Sequence, residues 1–121
     1  MIGSEPQIYF YSHRRSATGY IYTYPLLEHQ PFAQKMQAEM IQEMTQADPA
    51  YVVFVSQPSS WMPGANSDFS IIEWFIQYKQ AHLEPVGCIN IFPDKPTEYS
   101  WSGAANPKSD QWLQVYRKRS L

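Results

Sequence analysis

Tyr51-Val-Val-Phe-Val55 is a continuous apolar run rich in β-branched residues, closed off by Asp48-Pro49 on one side and a Pro- and Gly-bearing loop on the other. Such a run is the mark of a strand covered on both faces, which predicts a parallel sheet with this strand at its centre. Working outward, Pro31 at a first-turn position opens a helix that Asp48-Pro49 ends. Phe32, Met36, Met40 and Met44 recur every fourth residue with Ile41 beside them, so one face is apolar while Gln34, Gln37, Glu39 and Glu43 look elsewhere. Beyond Ser56 to Asn66, a loop with an exposed-looking Trp61, a second helix starts near Ser67 to Ser70. It runs to about Leu83, with Ile71, Ile72, Phe75, Ile76 and Leu83 inward, and Glu84-Pro85 ends it.

Period-two reading completes the inventory. Gln7 to Ser12 is expected as a β-run, and Tyr20 to Tyr24 as another with rings at alternate positions. Val86 to Phe92, a short Glu98 to Trp101, and Trp112 to Arg117 follow. The expected fold class is therefore α/β: a small mixed, mainly parallel sheet of four to five strands with two main helices. The order is β-β-α-β-α-β-β, and the C-terminal strand returns antiparallel. Residues 1–121 read as one domain, without an internal repeat or low-complexity tract.

Composition narrows function. A chain of 121 residues buries roughly two-thirds of its unfolded surface and needs no metal or disulfide staple. A net charge of −2 opposes general nucleic-acid binding, with basic spots only at His13-Arg14-Arg15 and Arg117-Lys118-Arg119. The single Cys88 sits in an apolar strand and reads as a small core residue; one thiol forms no internal disulfide. No stretch approaches the roughly 20 apolar residues of a membrane span, and the N-terminus lacks the regions of a signal peptide. An excised extramembrane domain has the same signature. The unusual entry is 16% aromatic residues, including 9 Tyr and 4 Trp, since such amphipathic rings suit interfaces as well as cores.

Catalytic fingerprints are missing: there is no G-x-G-x-x-G, Walker A, H-E-x-x-H, C-x-x-C or G-x-S-x-G pattern. His13, His29 and His82 lie in different segments without metal-ligand spacing, and Glu39 and Glu43 share the polar face of an amphipathic helix. No metal or cofactor is expected. The loop Ser12 to Gly19 is the best binding candidate. Its His13, Arg14, Arg15, Ser16 and Thr18 combine guanidinium forks with hydroxyls, and Tyr20 is placed to stack on a sugar or base. In a parallel sheet this loop and the Trp61 loop would emerge together at the carboxyl ends of strands and share one site.

The order Gly3-Ser-Glu-Pro-Gln-Ile-Tyr-Phe-Tyr-Ser-His-Arg-Arg-Ser-Ala-Thr-Gly-Tyr-Ile-Tyr-Thr-Tyr-Pro-Leu26, then a Gln-rich helix, Asp48-Pro-Ala-Tyr-Val-Val-Phe-Val55 and a Trp-bearing loop, resembles a known family. It is similar to the C-terminal soluble region of polytopic bacterial glycosyltransferases of the protein mannosyltransferase and aminoarabinose transferase group. The resemblance covers nearly the whole chain and is most specific over Glu5 to Leu26. Gly19 departs from it, standing where a basic residue is expected before Tyr20.

The resemblance implies a domain on the extracytoplasmic face of a bacterial cell membrane, following the last transmembrane helix of a parent that uses a polyprenyl-phosphate sugar donor. Catalytic acids would then lie in membrane-side loops outside these residues. The domain itself would be non-catalytic, packing on the membrane-embedded part of the same parent chain or positioning a glycan acceptor. Two other expectations stand beside it. One is an independent α/β domain that binds a phosphorylated metabolite or nucleotide through Ser12 to Gly19. The other is a protein-interaction module built on Trp61 and the tyrosine ridge.

Overall fold

The computed structural model describes residues 1–102 and 106–120. Five helices and four strands follow in the order α1 (Gln7–Ser12), α2 (Tyr24–Leu27), α3 (Ala33–Ala47), β1 (Tyr51–Ser56), α4 (Pro58–Trp61), α5 (Ser70–His82), β2 (Leu83–Ile91), β3 (Glu98–Ser100) and β4 (Gln111–Lys118). The strands form one sheet of order β1-β4-β2-β3, and every ladder is antiparallel. The expectation of a mainly parallel sheet in β-β-α-β-α-β-β order is therefore overturned. The β1–α5–β2 crossover does bring two strands back in the same direction, because both are antiparallel to β4. β4 inserts between them and takes both sets of hydrogen bonds, so the parallel neighbours never pair.

Both expected N-terminal strands are also corrected. Residues 7–12 form α1, with Pro6 already at φ −62°, ψ −23° and His13 closing the turn at φ 54°. Ile8, Tyr9 and Ser12 line one groove at helical spacing, while Phe10 and Tyr11 remain exposed and meet edge to face at 5.3 Å. The period-two rings of residues 20–24 are equally deceptive. Thr23, between Tyr22 and Tyr24, is the fully buried residue, and Tyr24 begins α2 with Pro25 in its first turn. The Thr23 N–H donates to Ser4 Oγ at 2.7 Å where a strand would donate to a neighbouring carbonyl.

β1 is an edge strand, contrary to its expected central place. Its continuous apolar character has another cause. Val52 and Phe54 face α5, where Phe54 stacks on Phe75 at 4.9 Å and Phe75 meets Tyr116 edge to face at 5.8 Å. On the other side, Val55 is buried beneath the N-terminal segment. Ile2 forms a parallel bridge to Phe54, donating its N–H to Val53 O at 2.8 Å and accepting from Val55 N at 3.0 Å. This bridge covers part of an edge that would otherwise expose unpaired backbone groups.

α3 and α5 lie where the Met and Ile spacing places helices. Met40 and Met44 are fully buried with Ile71, Phe75, Leu26 and Leu27 in the core, whereas Phe32 at the start of the expected stripe is exposed. Gln37, expected on the polar face, is buried. Its amide donates to the carbonyls of Leu26 and Asp68 at 2.8 and 2.7 Å and accepts from the Ile71 N–H at 2.8 Å. One carboxamide thus ties α3 to the end of α2 and to the first turn of α5. Glu84-Pro85, expected to end the second helix, sits inside β2, where the pairing with β4 slips between Pro85 and Gly87.

The sheet has a second face. Alternation from Val52, Phe54, Gln114 and Tyr116 places Val53, Val115, Leu113, Ile89, Ile91 and Tyr99 on the side away from α5. The five aliphatic residues stay half-exposed, and Tyr99 is 66% exposed. Trp101, 67% exposed, lies across Gly87 on this side; a Cβ there would stand 2.5 Å from Trp101 Cε3.

Three substitutions test this packing. Gly3 has φ +150°, and a Cβ at this position would lie 2.6 Å from Val55 Cβ, so Gly3→Ala should cost about 2 kcal/mol or more in urea unfolding. Gln37→Leu strands three backbone groups and should cost about 2–3 kcal/mol, whereas Gln34→Leu, on the exposed face, should change stability by less than about 0.5 kcal/mol.

Candidate functional site

The chain from α1 to α2 returns past the start of β1 and leaves a groove there of about 90 Å³. Its lining comes from Met1, α1 (Ile8, Tyr9, Ser12), the following loop (Arg14, Arg15, Ala17) and β1 with its approach (Pro49, Tyr51, Val53). His13 in the left-handed conformation turns the chain sharply out of α1, with its N–H on Phe10 O and the Arg14 N–H on Tyr9 O. Consecutive side chains of an extended segment point to opposite sides. After this turn Arg14 and Arg15 line the same groove. Arg14 lies over the Tyr51 ring at 5.1 Å, a cation–π contact worth ~0.5–1 kcal/mol at an exposed position.

The remaining expected site residues have other employment. His13 is exposed and does not line the groove. Ser16 Oγ donates to the Tyr9 hydroxyl at 3.2 Å and accepts from the Thr18 N–H at 3.2 Å. Thr18 Oγ1 accepts from the Tyr20 N–H at 3.1 Å. Tyr20 turns away toward α3, where its hydroxyl donates to Glu39 Oε2 at 2.6 Å. Partial burial, then the Glu39 hydrogen bond and the charges of Glu39 and Glu43, push its pKa up to about 12. The Gly19 N–H donates to Glu43 Oε2 at 2.9 Å. The two glutamates expected to be merely solvated are therefore the anchors that hold this loop on α3.

Trp61 is separated from the loop. It is 6% exposed, donates its indole N–H to Val55 O at 2.7 Å, and packs on Phe54 at the far end of β1. The expected shared site of the two loops does not form, because its premise was a parallel sheet with both loops at strand carboxyl ends. The groove keeps Ser12 from the expected loop and recruits Tyr9 and Tyr51, which were not expected in it. The one available signal was positional: Tyr51 is the aromatic first residue of an otherwise aliphatic run directly after Asp48-Pro49.

Among the described residues, no group of three His, Cys, Asp or Glu side chains is placed to hold a metal ion, and no helix is long and apolar enough to cross a membrane. Cys88 is fully buried, and burial raises its thiol pKa. Compared with protein-family models, curated proteins and solved structures, the chain matches none of them.

Met1 supplies a measurable consequence of this packing. Its α-amino group is buried and donates to the Tyr9 hydroxyl at 3.0 Å, and desolvation pushes its pKa from 8.0 down to about 6. Between these values the unfolded chain holds more of this proton than the folded one, so stability rises with pH across the window and levels off above 8. The 121-residue chain should gain about 2 kcal/mol between pH 6 and pH 8 relative to its Nα-acetylated form in paired urea titrations. Parallel pH profiles for the two forms would remove the assignment.

Proposed function

We propose that this domain is a non-catalytic docking domain of a bacterial membrane glycosyltransferase that uses a lipid-phosphate sugar donor. It packs on the membrane-embedded part of its own parent chain, on the extracytoplasmic side. The observation that carries this reading is the open face of the sheet. Val53, Ile89, Ile91, Leu113 and Val115 form its half-exposed aliphatic centre, and Tyr51, Tyr99 and Trp101 lie exposed around it. A contiguous apolar face with an aromatic margin has the character of an interaction surface. Amphipathic rings also suit the boundary between water and a membrane.

The resemblance of residues 5–26 and 48–55 to the soluble end of polyprenyl-phosphate-dependent glycosyltransferases supplies the partner. In that setting the acid and base of sugar transfer belong to membrane-side loops, and the role of this domain is to seat or cover the catalytic part. Exposed apolar area of this kind has a reason to persist only if something covers it during function.

The reading frame ahead of the Met1 codon should encode several apolar spans of about 20 residues each. In the resulting protein, Tyr99→Lys with Leu113→Lys should cut sugar transfer at least tenfold while lowering the melting temperature of the separate domain by only a few degrees. The purified 121-residue chain should neither hydrolyse nor transfer a polyprenyl-phosphate sugar. A natural start at Met1 with no membrane span ahead of it, or turnover by the purified chain, would refute the proposal.

A further inference from the structure

We infer that the groove lined by Arg14 and Arg15 is a binding site for a phosphate group. The inference does not depend on the docking of the open sheet face: its chemistry is different, and the two surfaces share only Tyr51 and Val53 at their common margin.

Charge is the first argument. The chain has nine Lys and Arg residues and a net charge of −2. Lys35, Lys95, Arg117 and Lys118 are each ion-paired with a carboxylate, and Lys79, Lys108 and Arg119, which make no ion pair among the described residues, lie in three separate segments. Arg14 and Arg15 are adjacent and exposed, yet neither makes an ion pair or side-chain hydrogen bond among the described residues. None of the residues lining their groove is acidic. Two neighbouring guanidinium groups repel each other, and an anion between them relieves that repulsion.

Geometry is the second argument. Arg14 Cζ lies 5.1 Å from the centre of the Tyr51 ring, and its guanidinium makes no hydrogen bond or ion pair among the described residues, so its N–H donors are available to an anion. The ring beneath it restricts the side chain before any ligand arrives, so less rotamer freedom is lost on binding. Arg15 lines the same groove and brings a second guanidinium, and the Ser12 hydroxyl, which donates to Tyr9 O at 3.4 Å, lies at the groove wall. Two forks offer more donors than the two oxygens of a carboxylate use well. A terminal phosphate has three acceptor oxygens and up to two charges.

Size is the third. At about 90 Å³ the groove is far below the 300–1,000 Å³ typical of pockets that enclose a small molecule. It accepts the phosphate and leaves the rest of the ligand outside, which disfavours a buried nucleoside. The ligand is a terminal phosphate carried either by a lipid headgroup or by a small soluble molecule.

Amide NMR titration of the 121-residue chain with inorganic phosphate at low salt tests the shared chemistry, with acetate at equal ionic strength as comparator. Signals from residues 14–17 should shift and saturate with phosphate, and acetate should bind at least tenfold more weakly. Arg14→Gln/Arg15→Gln should weaken phosphate binding at least tenfold with an otherwise unchanged spectrum, and Tyr51→Leu should weaken it severalfold with both charges intact. Co-sedimentation with phosphatidylcholine vesicles, with and without phosphatidic acid, identifies the source. Binding that needs phosphatidic acid and is lost in the double variant assigns a lipid headgroup; phosphate binding without vesicle binding assigns a soluble ligand. Silence in both assays up to millimolar phosphate, equal binding of acetate, or binding retained by the double variant would overturn the inference.

Discussion

Three buried hydroxyl residues, Ser4, Thr23 and Ser60, hold the part of the molecule on which everything at the β1 edge depends. The Ser4 N–H donates to Ser60 Oγ at 2.7 Å, Ser4 Oγ and Thr23 Oγ1 share a hydrogen bond at 2.9 Å, and Thr23 Oγ1 donates to Ser60 O at 3.2 Å. These contacts join the N-terminal segment, the entry to α2 and the short α4 at one point. No regular ladder or long helix lies between residues 3 and 23, so the α1 region has little intrinsic stability of its own. The hydroxyl cluster fixes its two ends, and the groove beside Tyr51 takes its shape from what is suspended between them. Each of these contacts is buried, which gives it greater consequence than a similar bond at the surface.

What was legible in the sequence follows from how local each cause is. α3 and α5 announce themselves because their apolar spacing records contacts made turn after turn. The 51–55 run is legible as a strand, but its neighbours are not. An apolar residue at every position is equally satisfied by a central parallel strand or by an edge strand whose second side is covered at Val55 by the N-terminal segment. The choice was made by residues 111–118, far downstream, whose pairing with both β1 and β2 reverses the sense of every ladder. Tyr9, Tyr11, Tyr20, Tyr22 and Tyr24 misled for a related reason. Their period-two spacing fits a ring-lined strand, yet residues 9 and 11 belong to α1, and residues 20 and 22 lie in an irregular segment organised by hydrogen bonds to Ser4 and Glu39.

The candidate site was half legible. Two adjacent arginines in an otherwise uncharged stretch stand out in any reading, and the structure keeps them together in one groove. Their supports did not stand out, because Tyr9 and Tyr51 carry no signal that separates a ring beneath a guanidinium from a ring in a core. Trp61 shows the opposite error. A tryptophan in a Pro- and Gly-bearing loop suggests exposure, but a single α-helical turn at 58–61 folds it inward, and Val55 O satisfies its indole N–H.

Tyr51 links the two surfaces on which function has been argued. By register it faces outward opposite Arg117, on the same side of the sheet as Val53, Val115 and Leu113, and its ring lies beneath Arg14. The phosphate groove therefore opens at the margin of the open sheet face and not on the helical side of the domain. A body docked on that face would approach Tyr51 and could bring a phosphate to the two arginines without reorienting the domain. The aromatic excess of the chain acquires a division of labour from this arrangement. Phe54, Trp61, Phe75 and Tyr116 build the interior, while Tyr51, Tyr99 and Trp101 edge a surface, so a chain of only 121 residues supports a core and an apolar contact face at once.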